Sequence, residues 1–534
     1  MSAPVTDSPA TAPNNNRLVA GLEECEQDNR PPFVLNRTEL RLLVIAGIAY
    51  DLFIINQVAL MLQYRYYGGD HLPSGLEGFI KAGANIGSVI GQFLFGYLAD
   101  AFGRKAVYGK ELMTIIFATI LCISVPAYIG SEASTLKAMR KGVLIWIGVF
   151  RIVLGIGVGG DYPMSASITG DRASIRKRGT MLTYVFANQG WGSFVGSLVT
   201  MATLACYKTA MDKNGQVYKV DAVWRIVVGV SLIPAFGTLY QRLTLPESTR
   251  FSKTRNAEAD EAQKEDEPQK EKEAELKKAA LDASSSEQSS VQAEAAEIKK
   301  KAHIHEFLEY MSEWRHAKLL IGTALSWFLV DIAFYGINLN TSVVLQQIGF
   351  DGAGNNAWHK IFRVATGNLI ITALGFVPGY YVTVLTVEWL GRKWIQIQGF
   401  IMSSVFIAIL AAKFHTLSSV AFIVCFALMQ FFFNFGANAT TYMYPAELFP
   451  TRYRAFAHGI SAASGKAGAI LASLAFNALS KKIGTPAVLW IFVGCNIAGA
   501  LVTLVCLPEV RGRDPDAIEL EERRLAREQG ANSA

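Results

Sequence analysis

The chain has 534 residues, 51% of them hydrophobic, and a formal net charge of +6. Its apolar residues gather in runs of bilayer-crossing length, which excludes a soluble multidomain protein and predicts an all-α membrane protein. The excess positive charge falls in tails and loops, so it reads as membrane topology and not as a nucleic-acid footprint.

Residues 1–39 read as a polar tail, and no cleavable leader is expected there. Twelve transmembrane helices are predicted from the apolar runs. The first six fall at 40–62, 77–99, 107–128, 143–165, 180–203 and 223–244. The second six fall at 316–338, 361–387, 395–412, 418–443, 455–480 and 485–507. They form two six-helix bundles, 40–246 and 316–508, ahead of a polar tail at 509–534. Within the central loop, 247–315, residues 252–302 are rich in Glu, Lys, Ala, Ser and Gln. With almost no aromatics that stretch cannot pack a core, and it is expected to be disordered or loosely helical. The loop ends in HIHEFLEYMSEW (303–314), whose alternation suits a helix lying on a membrane surface. Arg37, Arg41, Arg250, Lys253, Arg511 and Arg513 fall on one side, which places both termini and the central loop in the cytoplasm. Six cysteines show no CxxC or metal spacing, so no disulfide, metal or cofactor is expected.

Polar residues inside spans mark candidate sites. Span one carries Asp51. Span four runs into GIGVGGDYPMSASITGDRASIRKRG (155–179), where Gly155, Gly157, Gly159 and Gly160 permit close helix approach. Pro163 removes a backbone donor there, and Asp161 stands as an unpaired acid. A carboxylate at the bilayer centre costs about 2.5–3.5 kcal/mol, so cost, close approach and a kink in one place read as a working site. Span five offers Gln189. In span seven Trp327, Asp331 and Tyr335 are spaced i, i+4, i+8 and share one face. Span ten repeats the pattern with Asn434, Asn438 and Tyr442, and span eleven sets Lys466 among small residues. Plainer roles stay open. Asp51 can pair with a base near a helix end, and Asp331 with Lys466 can be a structural ion pair. The aromatics can be packing groups and the asparagines interhelical hydrogen-bonding groups. Arg151 is expected to snorkel or pair, and His458 to be structural.

The halves repeat. Asp100-Ala-Phe-Gly-Arg104-Lys105 after span two is echoed by Glu388-Trp-Leu-Gly-Arg392-Lys393 after span eight. Asp171-Arg172 with Arg178 after span four has a counterpart in Glu447 with Arg452 and Arg454 after span ten. Leu-Pro-Glu closes both span six and span twelve. Three motifs in register mean a duplicated six-helix unit. The charged sets (Asp100, Arg104, Asp171, Arg172; Glu388, Arg392, Glu447, Arg452) are expected to latch one conformation, with simple topology signals as the other reading.

GYLADAFGRK (96–105) resembles the loop motif of the major facilitator superfamily. GGDYPMSASI (159–168) resembles the signature of its phosphate:proton symporter family in fungi and plants. SWFLVDIAFYGINLN (326–340) and YPAELFPTRYRAFAHGISAASGKAGA (444–469) are similar to that family's seventh span and tenth-to-eleventh region. Met164 stands where the signature usually has Leu, Gly170-Asp171 where Ser-Glu is usual, and Val384 at the repeat position of Gly96. The resemblance implies substrate contacts at Tyr162, Gln189, Trp327, Asp331, Tyr335, Asn438 and Lys466, and proton movement through Asp51 and Asp161; Asp331 is expected to gain and lose a proton with them as the cavity opens to each side. The resemblance also implies a plasma-membrane importer of inorganic phosphate with protons; no enzyme is expected, since no nucleophile–base pair, metal cluster or phosphate-cradling loop is seen outside the spans.

The residue chemistry suits that reading. A lysine supplies the charge an anion needs, and amide, indole and phenol groups supply donors. A carboxylate beside an anion is tolerable when the anion carries a proton, as dihydrogen phosphate does. Sulfate has none to give and would leave the acid unsatisfied, a strong form of discrimination. Other readings are a proton symporter for an organic phosphate or a sugar, and a phosphate receptor signalling through the central loop.

Overall fold

The computed structural model describes residues 50–126, 133–245, 304–350 and 356–519, with 521, 522 and 525. The predicted tail at 1–39, the start of span one, most of the central loop and the end of the chain lie outside the described residues.

Spans one and two are helices Tyr50–Tyr67 and Ser74–Phe102. Span three is Lys110–Ile123, set off from the turn Arg104–Val107 by Gly109 at φ 96°. Spans four and five are Ala133–Arg172 and Arg178–Cys206, and span six is Val220–Gly229 followed by Leu232–Leu243. Span seven is Trp314–Asn338, followed by the short helix Thr341–Gln347. Span eight joins Ala357–Ile371 to Val377–Leu390 through a wide turn at Thr372–Phe376. Span nine is Arg392–Ala412, and span ten is Ser419–Asn434 then Ala437–Leu448. Spans eleven and twelve are Arg454–Ile483 and Thr485–Cys506.

Nine of these helical stretches are long and apolar enough to cross a bilayer by composition alone. The other three are spans one, two and five. Span one is described over only 18 residues and holds Asp51, Asn56, Gln57 and Gln63. Spans two and five are diluted by the glycines, serines and amides of their buried faces. Those small residues let helices touch backbone to backbone. A Cβ on Gly87 would overlap the Ile152 carbonyl oxygen, and one on Gly155 would overlap that of Ala84, so spans two and four are joined without side chains between them.

Two six-helix bundles result, related as the sequence repeat requires. Span two packs along span four and crosses to span eleven, while its counterpart, span eight, packs along span ten and crosses to span five. These two crossings are equivalent under the exchange of halves and form the seam between the bundles. Apolar side chains such as Phe93, Phe117, Leu385, Leu501 and Val505 stay exposed on the outside, where lipid would cover them. Trp314, Trp389 and Trp394 stand exposed at span ends on the face carrying the charged motifs, where a belt of interfacial aromatics belongs.

Span four differs from its expected end at 165. The helix runs on to Arg172, carrying Asp171 and Arg172 with it, and both are buried. The charges need no water because partners from the other half meet Asp171 there. The stretch expected to lie on the membrane surface is helical over 304–312. Phe307 seats it among Phe449, Tyr453 and Ala457, leaving Leu308 outward.

Candidate functional site

Span seven presents Trp327, Asp331 and Tyr335 to the seam, each about 1% exposed, as the i, i+4, i+8 spacing predicts. Span eleven brings Lys466 to the same point. Its Nζ donates to Asp331 Oδ2 at 3.1 Å and to Tyr335 Oη at 2.7 Å. The ammonium also lies 4.1 Å from the Tyr335 ring centroid and 5.0 Å from that of Tyr162, which reaches in from span four of the other half. Gly465 makes the approach possible, since a Cβ there would lie 2.5 Å from the Trp327 ring. Around the pair, Tyr162, Trp327 and Tyr442 form an aromatic wall with centroids 6.2–6.4 Å apart, backed by His458 at 5.1 Å from Tyr442.

Next to the wall runs a polar chain across the seam. Tyr380 Oη donates to Gln189 Oε1 at 2.5 Å. Asn438 Nδ2 donates to Tyr380 Oη at 2.7 Å and to Asn434 Oδ1 at 2.8 Å. Span ten is broken between Asn434 and Ala437 because Gly436 lies directly on Gly399 of span nine. Broken helices beside a polar cluster at the repeat interface are where transporters hold substrate. Phe186 links chain and wall, stacked on Tyr442 at 4.5 Å and 5.9 Å from Tyr380.

The cluster keeps bonding capacity in reserve. Among the described residues Asp331 Oδ1, Tyr442 Oη and His458 Nδ1 are buried with no hydrogen-bond partner. A buried polar atom without a partner costs about 1–3 kcal/mol, and these three lie on the ion pair and on the aromatic groups packed around it. The arrangement can hold an oxyanion on Lys466 while Asp331 accepts one proton-bearing oxygen.

Five of the seven expected contact residues gather around the ammonium and its aromatic wall. The other two, Gln189 and Asn438, join through the Tyr380 hydroxyl. Two of the expected proton carriers are elsewhere. Asp51 is buried in span one with neither carboxylate oxygen hydrogen-bonded among the described residues, and Arg151 Nη1 donates to its backbone carbonyl oxygen at 3.2 Å. Arg151 therefore does not snorkel; it is buried between spans one, two and four. Asp161 is not unpaired. Its Oδ1 accepts from Arg242 Nη1 at 2.6 Å and from Ser165 Oγ at 2.9 Å, and the same guanidinium donates to Glu111 at 3.2 Å. Arg242 and Glu111 sit one or two residues inside their spans, where a charge passes for a boundary; Tyr380 hides among the aromatics of span eight.

The charged motifs meet on one face, below the cluster. Arg104 pairs with Asp171 at 2.5 Å and with Asp100 at 3.5 Å. Asp100 crosses the seam to accept from the backbone amides of Ala455 and Phe456, at the N-terminus of span eleven. There the helix dipole favours a carboxylate. The second half repeats the device. Arg392 pairs with Glu388 and Glu447 at 2.7 Å each, and Glu388 crosses to the Thr180 amide at the N-terminus of span five, 3.0 Å away. Arg172 is buried at the same boundary. Arg452 differs from expectation: it reaches outward to Glu306 on the surface helix, and Arg454 is the guanidinium that pairs with Asp171. The halves also touch on the opposite face, so the cluster is closed from both sides.

Two pseudo-symmetric six-helix bundles meeting over a closed polar site define a secondary transporter of the major facilitator class. The chain belongs to the sugar (and other) transporter family, whose model matches residues 44–521. Among its relatives are the inorganic phosphate transporter PHO84 of Saccharomyces cerevisiae, 37% identical over 90% of this chain and 84% of that protein, and the inorganic phosphate transporter 1-1 of Oryza sativa, 34% identical over 90% and 93%. The repressible high-affinity phosphate permease of Neurospora crassa is 37% identical over 86% and 80%. The fold matches that of the proton:xylose symporter XylE, with a TM-score of 0.63 at 19% identity over 90% of this chain and 97% of that one.

Proposed function

We propose that this chain imports dihydrogen phosphate together with protons, by alternating access, across the plasma membrane. Lys466 beside Asp331 and Tyr335 carries this reading: a buried ammonium attracts the anion, and a buried carboxylate selects an anion that still bears a proton. The phosphate transport named for relatives at 34–37% identity supports the same substrate. Tyr162, Gln189, Trp327, Asn438 and Lys466 then donate to phosphate oxygens, while Asp331 and Tyr335 receive its hydroxyls. Such a site disfavours sulfate, which would leave Asp331 facing a bare anion.

Protons reach the site through Asp51, Asp161 and Asp331. Protonation and phosphate loading together neutralise the cluster and let the bundles rock around it; deprotonation frees a carboxylate to recapture Lys466. One proton with one monoanion moves no net charge and gains nothing from the membrane potential, worth about 2.3 kcal/mol per charge per 100 mV. An importer working against a gradient is therefore expected to move more than one proton per phosphate. Both termini and the central loop, 247–315, face the cytoplasm, where the Asp100–Arg104–Asp171–Arg454 and Glu388–Arg392–Glu447 sets latch the transporter shut on that side. Competition against labelled phosphate uptake tests the substrate. Unlabelled phosphate should compete, and sulfate and glycerophosphodiesters should not; a glycerophosphodiester competing as well as phosphate would replace the reading with an organic-phosphate symporter.

A further inference from the structure

On the face opposite the charged motifs, Lys81 of span two is only 1% exposed. Its Nζ donates to Glu77 Oε1 at 2.6 Å on its own helix and to Asn340 Oδ1 at 2.9 Å in the other half. Asn340 is itself fully buried and returns its Nδ2 to the Gly336 carbonyl at 2.9 Å, one residue beyond Tyr335 of the central cluster. Beside this contact, Asn56 of span one accepts from the Ser342 amide at 3.2 Å and donates to Asn368 of span eight at 3.4 Å. Asn56 and Asn368 also line a cavity of about 30 Å³, together with Gln57, Asn338 and Thr372. Its inner wall is Phe53, whose ring stacks on Tyr335 at 5.8 Å.

We propose that Lys81 and Asn340 are the lock of the outer gate. Span seven carries the central residues Asp331 and Tyr335, and the Asn340 half of the lock sits two residues past its end. Moving that helix end off span two therefore parts the outer contact between the halves and disturbs the cluster together. Glu77 explains why the lock can open at all. The ammonium loses Asn340 when the halves part but keeps a carboxylate on its own helix, so no buried charge is stranded. Open, Lys81 has a donor free for an incoming anion on the outer face. The inference rests on alternating access between the two faces and not on which anion is carried.

The test reads conformation without transport. Full-length protein with its native cysteines replaced is placed in lipid nanodiscs and carries one reporter cysteine. The reporter is Thr372→Cys in the small cavity, or Thr169→Cys, seven residues from Tyr162 on the same face of span four and nearer the latch. Lys81→Met combined with Glu77→Gln should raise maleimide labelling of the Thr372 reporter about tenfold, the order of one lost charge-assisted hydrogen bond, and lower it at Thr169. Asn340→Asp turns the hydrogen bond from Lys81 into an ion pair, a gain that outweighs the lost donor to Gly336, and should do the reverse at both reporters. Unchanged rates, faster labelling of Thr372→Cys in the Asn340→Asp background, or faster labelling at both reporters in either background would overturn the lock.

Discussion

Separating stability from transport at the central pair is the most informative perturbation. Lys466 Nζ and Asp331 Oδ2 are 3.1 Å apart, and both side chains are 1% exposed. Removing one member of such a pair leaves the other charge buried and costs about 3–5 kcal/mol. In Asp331→Asn the ammonium loses its counter-charge and keeps only neutral partners, so that variant and Lys466→Met should each lower the thermal midpoint of the purified protein markedly. Replacing both, Asp331→Leu with Lys466→Met, strands no charge and should return the midpoint close to the parent, since a buried pair and an apolar pair of similar volume are nearly equivalent in stability. Transport is expected to be absent in all three. The assay is thermal unfolding followed by tryptophan fluorescence, run beside labelled phosphate uptake by the same preparations. Phosphate uptake by the stable double variant would refute the reasoning, because the pair would then be a structural staple with no substrate role.

Three further outcomes follow from single contacts. Arg454→Ala should loosen the latch and speed cysteine labelling from the motif face, because Arg454 meets Asp171 in a fully buried pair, whereas Arg452→Ala should change it little, its partner Glu306 being partly exposed and worth about 0–1 kcal/mol. Tyr380→Phe removes the hydroxyl that orients Gln189 and Asn438; with about 1–3 kcal/mol at stake, KM for phosphate should rise about tenfold or more while membrane insertion, read by surface labelling, is unchanged. Gly87→Leu should abolish folded protein, since even a Cβ would overlap a span-four carbonyl oxygen, while Gly142→Ala, with nothing within 4 Å, should be neutral by size-exclusion profile.

Apolar runs, the repeat of motifs and the helical spacing of Trp327, Asp331 and Tyr335 are legible in the sequence because each is local or periodic along the chain. Lys466 is legible because a charge deep in a span of small residues is too costly to persist without a partner or a ligand. Pairings between distant spans are not legible. Asp161 reads as an unpaired acid until Arg242, far along the chain, folds against it. Arg452 and Arg454 are two residues apart, and only the turn before span eleven decides which points to Asp171 and which to Glu306. Lys81 lies a turn inside span two and passes for a boundary charge, although its burial against Asn340 depends on how the two bundles lean together. Span four reads short in the sequence for the same reason: a run of charges signals water unless the other half supplies counter-charges.

Purified protein in phosphate-free vesicles, given an imposed pH step with the outside acidic, tests the central claim most directly. Labelled phosphate should accumulate above its external concentration, collapse when a protonophore dissipates the gradient, and show no sulfate counterpart. Accumulation indifferent to the gradient, or sulfate accumulating equally well, would contradict a lysine and an aspartate selecting a protonated anion.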